Sequence, residues 1–155
     1  MNLEIREMTI DDLAPVFHLG EELFTSESLS NLYRTWDEFE VTAFYQSTPE
    51  YCLVADDDGK LAGFLLGTTI EKAGTAWNYG HLVWLGIHTE YQRHGIGNRL
   101  FEAYRQLMIK EGIRIIFVDT QADNEAAVKF FEDLGFARGT EHVYMSLNLD
   151  TDIKT

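Results

Sequence analysis

The chain has 155 residues, of which 45% are hydrophobic, which predicts one compact domain over residues 1–155 with a substantial core. Its formal net charge of −14 argues against nucleic acid as a partner, because phosphate backbones are bound by clustered lysine and arginine. No terminal stretch resembles a signal peptide and no apolar run approaches the roughly 20 residues of a membrane span, so we expect no membrane partner.

Cys52 is the only cysteine, so no internal disulfide can form. Its apolar neighbours favour a buried packing residue over a nucleophile. We therefore expect a cytoplasmic protein.

The N-terminal third predicts a short strand followed by two helices. Leu3 and Ile5 indicate the strand, and Thr9 followed by Asp11 and Asp12 is typical of a helix start. Pro15 then falls in the first turns. Apolar residues at helical spacing follow: Leu13, Val16, Phe17, Gly20, Leu23 and Phe24. Residues 25–34 are polar and irregular, and a second helical pattern surrounds Trp36, Phe39, Phe44 and Tyr45.

Residues 51–55 and 61–69 are apolar runs that flank Asp56, Asp57, Asp58, Gly59 and Lys60. An Asp-Gly pair between apolar runs predicts a β-hairpin. The acidic triplet also raises the possibility of calcium, but no distal carboxylate at EF-hand spacing completes such a site, so we favour the turn.

Residues 79–111 predict a buried strand, a glycine-bearing turn and an amphipathic helix in succession. The strand has apolar side chains on both faces, namely Leu82, Val83, Trp84, Leu85 and Ile87. The helix has one apolar face, formed by Ile96, Leu100, Ala103, Tyr104, Leu107 and Met108. Gly112 is placed to end the helix.

The turn in this unit has the sequence QRHGIG over residues 92–97. Gly95 and Gly97 allow a ligand to approach the backbone, and amides before the first helical turn can point at an anion. Arg93 and His94 add positive or proton-donating groups, which suits a diphosphate. A tight βα turn with no ligand is the alternative. Neither the P-loop motif nor the dinucleotide-fold glycine motif is present.

The C-terminal third predicts a buried strand over residues 113–120, a helix over 124–134 ended by Gly135, and a last strand over 142–149. The predicted order of elements is β-α-α-β-β-β-α-β-α-β-β. It indicates an α/β protein with a mixed sheet, helices on both faces and a right-handed β-α-β crossover.

Two segments resemble one known family. Residues 92–97 match the Q/R-x-x-G-x-G/A signature of the GNAT N-acetyltransferase superfamily, and residues 123–136 are similar to its N-x-x-A-x-x-F-Y-x-x-x-G-F segment. The resemblance implies a mixed, mostly antiparallel GNAT-like sheet with a central β-α-β cofactor unit, and acetyl-CoA as cofactor.

By that resemblance, the pantetheine arm of acetyl-CoA lies in a gap between the central strand and the next strand. The cofactor residues that it implies are Leu85, Gly86 and Ile87 for the arm, Gln92, Arg93, His94, Gly95, Ile96, Gly97 and Asn98 for the diphosphate, and Asn124 near the acetyl end. Phe131 stands at the cofactor position where many members have a tyrosine that protonates the leaving thiolate, and Phe131 cannot do so.

Acetyl transfer to an amine needs groups that move protons. Asp119 ends an apolar strand, so it is a candidate base, with a turn-forming role as the alternative. His81 is a candidate to relay a proton, because an imidazole can both accept and donate one, with a hydrogen-bonded core histidine as the alternative. Tyr144 is a candidate acid in place of Phe131, with packing as the alternative.

We interpret the chain as an acetyl-CoA-dependent N-acetyltransferase acting by direct transfer on a primary amine of a small molecule, peptide or protein N-terminus. Two alternatives stay open: a non-catalytic acyl-CoA-binding regulatory domain and a nucleotide-binding α/β domain. Residues 1–60 hold 14 acidic against 3 basic residues, which predicts a cationic acceptor. A homodimer is one option for the assembly, and no metal site is expected.

Overall fold

The computed structural model describes residues 1–24, 35–71, 74, 77–143, 145 and 147–150. The chain forms two compact units, Met1–Asp119 and Thr120–Thr155. No helix among the described residues is long and apolar enough to cross a membrane.

The first unit is built on a five-stranded sheet with the strands in chain order. Its strands are β1 (Leu3–Glu7), β2 (Cys52–Asp57), β3 (Lys60–Glu71), β4 (Asn78–Ile87) and β5 (Ile115–Phe117). Neighbouring strands are antiparallel except for β4 and β5, which are parallel. The predicted mixed, mostly antiparallel sheet is confirmed, although β5 is shorter than the predicted strand over residues 113–120.

Three α-helices of the first unit are α1 (Leu13–Leu23), α2 (Glu38–Ser47) and α3 (Ile96–Lys110). The predicted start of α1 is confirmed: the Thr9 amide donates to the Asp12 carboxylate at 2.8 Å, and a short 3-10 turn leads into the helix. Asp37 caps α2, because its carboxylate accepts from the amide of Glu40.

The predicted hairpin between β2 and β3 is confirmed. Asp58 and Gly59 have φ values of 47° and 90°, the left-handed backbone that a tight two-residue hairpin turn requires. The Asp56 carboxylate accepts from the amide of Gly59 at 2.7 Å, so the acidic side chain stabilises the turn itself.

An aromatic cluster joins α1 to one face of the sheet. It consists of Phe24, Trp36, Phe64 and Trp84, with ring centroids 4.8–6.1 Å apart. Gly20 of α1 makes this packing possible, since a Cβ there would lie 2.0 Å from the Trp36 ring.

Helix α3 covers the opposite face of the sheet. Tyr104 and Met108 of α3 lie against Gly67 of β3 and Gly80 of β4, where added Cβ atoms would come within 2.7 Å. The Tyr104 hydroxyl donates to the carbonyl of Thr68 at 3.0 Å, which satisfies it in a fully buried position. Helices therefore lie on both faces of the sheet, as predicted.

Strand β4 contains a bulge. Leu66 pairs with Trp84 and Gly67 pairs with Leu82, so Val83 is an extra residue in β4. The bulge exchanges the faces of the strand: Gly80 faces α3, whereas Gly86 faces Leu23 of α1 and Phe64. Strict alternation would place both glycines on the same face.

The second unit contains α4 (Glu125–Asp133), near the predicted bounds. The predicted strand over residues 142–149 is wrong for the described residues, since none of residues 141–143, 145 and 147–150 is in a strand. Val143, Met145, Leu147 and Leu149 alternate as a strand would, but each is more than 80% exposed. Alternation indicates a strand only when the side chains of one face are buried, and these four side chains are exposed.

Candidate active site

The glycine turn that precedes α3 has the geometry of an anion cradle. Gly95 caps the helix with φ 72° and ψ 17°, and a Cβ there would meet nothing within 4 Å. The amides of the first helical turn have no intrahelical partner, so they can bind a ligand. Arg93 also has a positive φ, of 69°, which is uncommon for a residue with a Cβ and is often found at functional sites.

The predicted diphosphate residues divide into two groups in the structure. Gln92, Arg93, His94, Gly95 and Asn98 are exposed, so their side chains or amides face solvent. Ile96 and Gly97 are buried, with Ile96 only 1% exposed. The Ile96 side chain therefore anchors the start of α3 in the core, and only its backbone can serve a ligand.

Polar contacts tie the preceding turn, Thr89–Tyr91, to the β2–β3 hairpin. The Tyr91 hydroxyl donates to the Asp57 carboxylate at 2.7 Å, and Lys60 lies 2.6 Å from Glu90. The hydrogen bond raises the pKa of Tyr91 and lowers the pKa of Asp57, because it favours the neutral phenol and the charged carboxylate. The hairpin thus fixes the chain segment that enters the cradle.

Strands β4 and β5 pair only over a short distance. Their last paired residues are His81 and Phe117, and β4 continues for six residues beyond that point to Ile87. Within the described residues, no strand pairs with this side of β4 after His81. Leu85, Gly86 and Ile87 lie in this segment, where the resemblance implies contacts with an extended ligand arm.

His81 and Asp119 form a pair at the point where the two strands part. His81 Nε2 lies 3.3 Å from Asp119 Oδ1, and the imidazole stacks on Phe117 with ring centroids 4.3 Å apart. Their side chains are 16% and 26% exposed, so both are largely buried but keep some accessible surface. With its proton on Nε2, His81 donates to the carboxylate and keeps Nδ1 as a base.

The other predicted site residues lie in the second unit or outside the described residues. Asn124 caps α4, with its side-chain oxygen accepting from the amide of Ala127 at 3.2 Å. Phe131 packs edge-on against Phe130 and Phe136. Tyr144 lies outside the described residues, so its predicted role as an acid stays a prediction.

One polar contact near β4 was not predicted from the sequence. The Trp84 indole donates to Glu40 Oε1 of α2 at 2.9 Å. A signal for it does exist: a tryptophan inside a buried strand needs an acceptor for its N–H, and the preceding helix carries carboxylates. The sequence does not indicate which carboxylate accepts.

Known proteins resemble the chain over most of its length. The family model described as "Acetyltransferase (GNAT) family" matches residues 19–136. N-alpha-acetyltransferase 30 of Schizosaccharomyces pombe is 32% identical over 108 residues, which are 70% of this chain and 71% of the relative.

Solved structures share the fold at lower identity. A chain of the NatC complex bound to Gag peptide and CoA superposes with a TM-score of 0.76 at 20% identity, over 90% of this chain and 87% of that one. An aminoglycoside acetyltransferase from an uncultured soil metagenomic sample, solved with trehalose, gives a TM-score of 0.73 at 22% identity, over 94% and 97% of the two chains.

Proposed function

The chain belongs to the acetyltransferase (GNAT) family, an enzyme family whose acetyl donor is acetyl-CoA, and from that premise we propose that it acetylates a primary amine by direct transfer. The observation that carries the proposal is the His81–Asp119 pair at the point where β4 and β5 part. A base at this position can deprotonate an amine beside an acyl group held along β4.

The turn before α3 fits the anionic part of the cofactor. Gly95 leaves open space at the amides of the first helical turn, and Arg93 and His94 are exposed beside it. When bound, acetyl-CoA supplies a thioester whose carbonyl carbon accepts the amine. We expect an amide of β4 near Leu85 or Ile87 to donate to the carbonyl oxygen as it gains charge.

His81 and Asp119 move the protons of the acceptor. An alkyl ammonium must lose a proton before it can attack, and His81 Nδ1 takes that proton while Asp119 holds the ring and stabilises the imidazolium. Over the whole reaction the ammonium gives up two protons, of which one ends on the thiol and the other reaches solvent. Tyr144 stays the candidate donor to the thiol, because Phe131 has no proton to give.

The relatives support an amine acceptor of two kinds. One is named an N-alpha-acetyltransferase and one neighbouring structure holds a peptide, while another neighbour is an aminoglycoside acetyltransferase. We therefore propose a peptide or protein N-terminus, or a small amine, as the acceptor.

A second candidate function is an acyl-CoA-binding domain without turnover, and Phe131 in the usual tyrosine position favours it. Acetyl-CoA binding by calorimetry, together with thiol release over a panel of amines and peptides, separates the two. Binding without thiol release for any acceptor would replace the proposed enzyme with the binding domain.

The catalytic assignment is tested with His81→Gln and Asp119→Asn. We expect His81→Gln to lower kcat by about 10²-fold or more without changing acetyl-CoA affinity, and to remove the ionisation of the base from the pH profile of kcat/KM. His18→Gln is the matched control, because His18 forms a similar pair with Glu21 at 3.1 Å on the exposed face of α1. Wild-type kcat and pH profile in His81→Gln would remove this pair from the mechanism.

A further inference from the structure

We propose that Glu40 binds a second positive charge on the acceptor, so that the enzyme prefers amines that carry another cationic group some distance from the reacting nitrogen. This inference rests on the proposed function, since it names the substrate class of the same site.

Glu40 is held in place at both its backbone and its side chain. The Asp37 carboxylate accepts from its amide at 2.8 Å, and the Trp84 indole donates to its Oε1 at 2.9 Å. Trp84 is itself only 4% exposed and is fixed by the rings of Phe24 and Trp36. The carboxylate is therefore preorganised, which lowers the entropic cost of binding a ligand.

Glu40 meets no cationic side chain among the residues that the structure describes. Glu40 is partly buried, and among the described residues no lysine, arginine or histidine forms an ion pair with it. A carboxylate can accept about four hydrogen bonds, and the indole uses one of them on Oε1. Oε2 is thus available to an ammonium or guanidinium group, which would offset the cost of partly desolvating the carboxylate.

Glu40 and His81 lie on the same side of the sheet. Gly80 faces α3, so His81 faces the opposite side, and the bulge at Val83 places Trp84 on that side as well. Trp84 follows His81 by three residues, which is on the order of 10 Å along a strand. A linear diamine, a polyamine or a peptide with a basic side chain near its N-terminus has charges with such a separation.

The net charge of the surrounding chain acts in the same direction. Residues 1–60, which include α1 and α2, carry 14 acidic and 3 basic residues, whereas residues 61–155 carry 12 and 9. A field of this sign raises the local concentration of cations, but it does not discriminate among them by geometry. Glu40 is the feature that would convert general attraction into selection for a second charge.

The experiment compares 1,5-diaminopentane with pentylamine, which have the same chain length and differ in one charge. We compare the ratio of kcat/KM for the diamine to kcat/KM for the monoamine. In Glu40→Gln we expect this ratio to fall about tenfold at low salt, and the fall to be smaller at high salt. Glutamine keeps an oxygen for the Trp84 indole, so the core should stay intact, and near-ultraviolet circular dichroism checks this. Glu38→Gln is the control, since it removes the same charge from an exposed position on the same helical turn.

The outcomes distinguish this inference from the proposed function. An unchanged ratio in Glu40→Gln, or an equal fall in Glu38→Gln, would overturn the inference while leaving amine acetylation in place. If neither amine is acetylated, the proposed function fails for this class, and calorimetry of 1,5-diaminopentane still decides the inference. Binding by wild type and not by Glu40→Gln would support it, whereas no binding by wild type would overturn it.

Discussion

Alanine substitutions at Gly95 and Gly112 provide a test of the anion cradle with an internal control. The two glycines lie at opposite ends of α3, both are exposed, and their φ values are 72° and 78°. A Cβ at either position would meet nothing within 4 Å, so the structural cost is the left-handed backbone alone. That cost is about 1–2 kcal/mol for each variant.

The two variants should therefore lose similar stability but differ in ligand affinity. For a chain of this length, about 1–2 kcal/mol corresponds to a fall in Tm of roughly 2–8 °C, measurable by calorimetry. Only the Cβ at position 95 stands beside the amides that open α3. We expect Gly95→Ala to weaken acetyl-CoA binding about tenfold or more, equivalent to about 1.4 kcal/mol, and Gly112→Ala to bind as wild type does.

Titration calorimetry with acetyl-CoA below the melting transition of both variants measures this difference. The cradle assignment is refuted if a folded Gly95→Ala protein binds with wild-type affinity. Equal losses of affinity in the two variants would also refute it, since they would trace the effect to helix stability. Alanine is more informative than valine here, because a β-branched residue in left-handed backbone adds strain of its own.

Two further variants test the packing and the electrostatics of the first unit. Gly20→Ala should lower the free energy of unfolding by about 2 kcal/mol, because the added Cβ would lie 2.0 Å from the Trp36 ring. This overpacking exceeds the roughly 1 kcal/mol that alanine gains over glycine in helix propensity. Unchanged stability in urea melts would contradict this packing. Burial alone would raise the pKa of Asp12, but hydrogen bonds from Arg6 and Thr9 outweigh burial and hold this pKa below 3.8. These hydrogen bonds therefore stabilise the folded protein above pH 3.8, and the stabilisation is lost as pH falls through the lower pKa of the folded state. Asp12→Asn should therefore cost about 1–3 kcal/mol at pH 7 and show a flatter stability profile below pH 4 than wild type, and parallel profiles would contradict this role.

Local chemistry allowed the hairpin and the helix starts to be predicted. Asp58 and Gly59 form the turn because few residue pairs accept two consecutive positive φ values, and Thr9 with Asp12 begins α1 through a contact three residues apart. The last strand was predicted wrongly because alternation alone does not supply a neighbouring strand. Val143 and Met145 alternate correctly and remain exposed in the structure.

The candidate site was predicted residue by residue but not as an arrangement. His81 and Asp119 were each candidates for moving protons, yet their contact depends on the parallel register that places His81 opposite Phe117. Register between strands joined by a long crossover is set by the packing of the whole unit, which no short window of sequence contains. The contact between Glu40 and Trp84 was missed for the same reason, since α2 is placed by the core beneath it.

The bulge at Val83 makes one residue of β4 dispensable to the pairing of the strand. Deleting Val83 would turn the bulge into a regular ladder in which Leu82 and Trp84 are neighbours on opposite faces, so every later residue up to Ile87 would keep its present face. Trp84 would therefore stay in the aromatic cluster and keep its hydrogen bond with Glu40 on the side that holds His81. A deletion scan should thus find that β4 tolerates removal of Val83 better than removal of Leu85, which lies outside the bulge and whose loss would turn Gly86 toward the face that α3 covers.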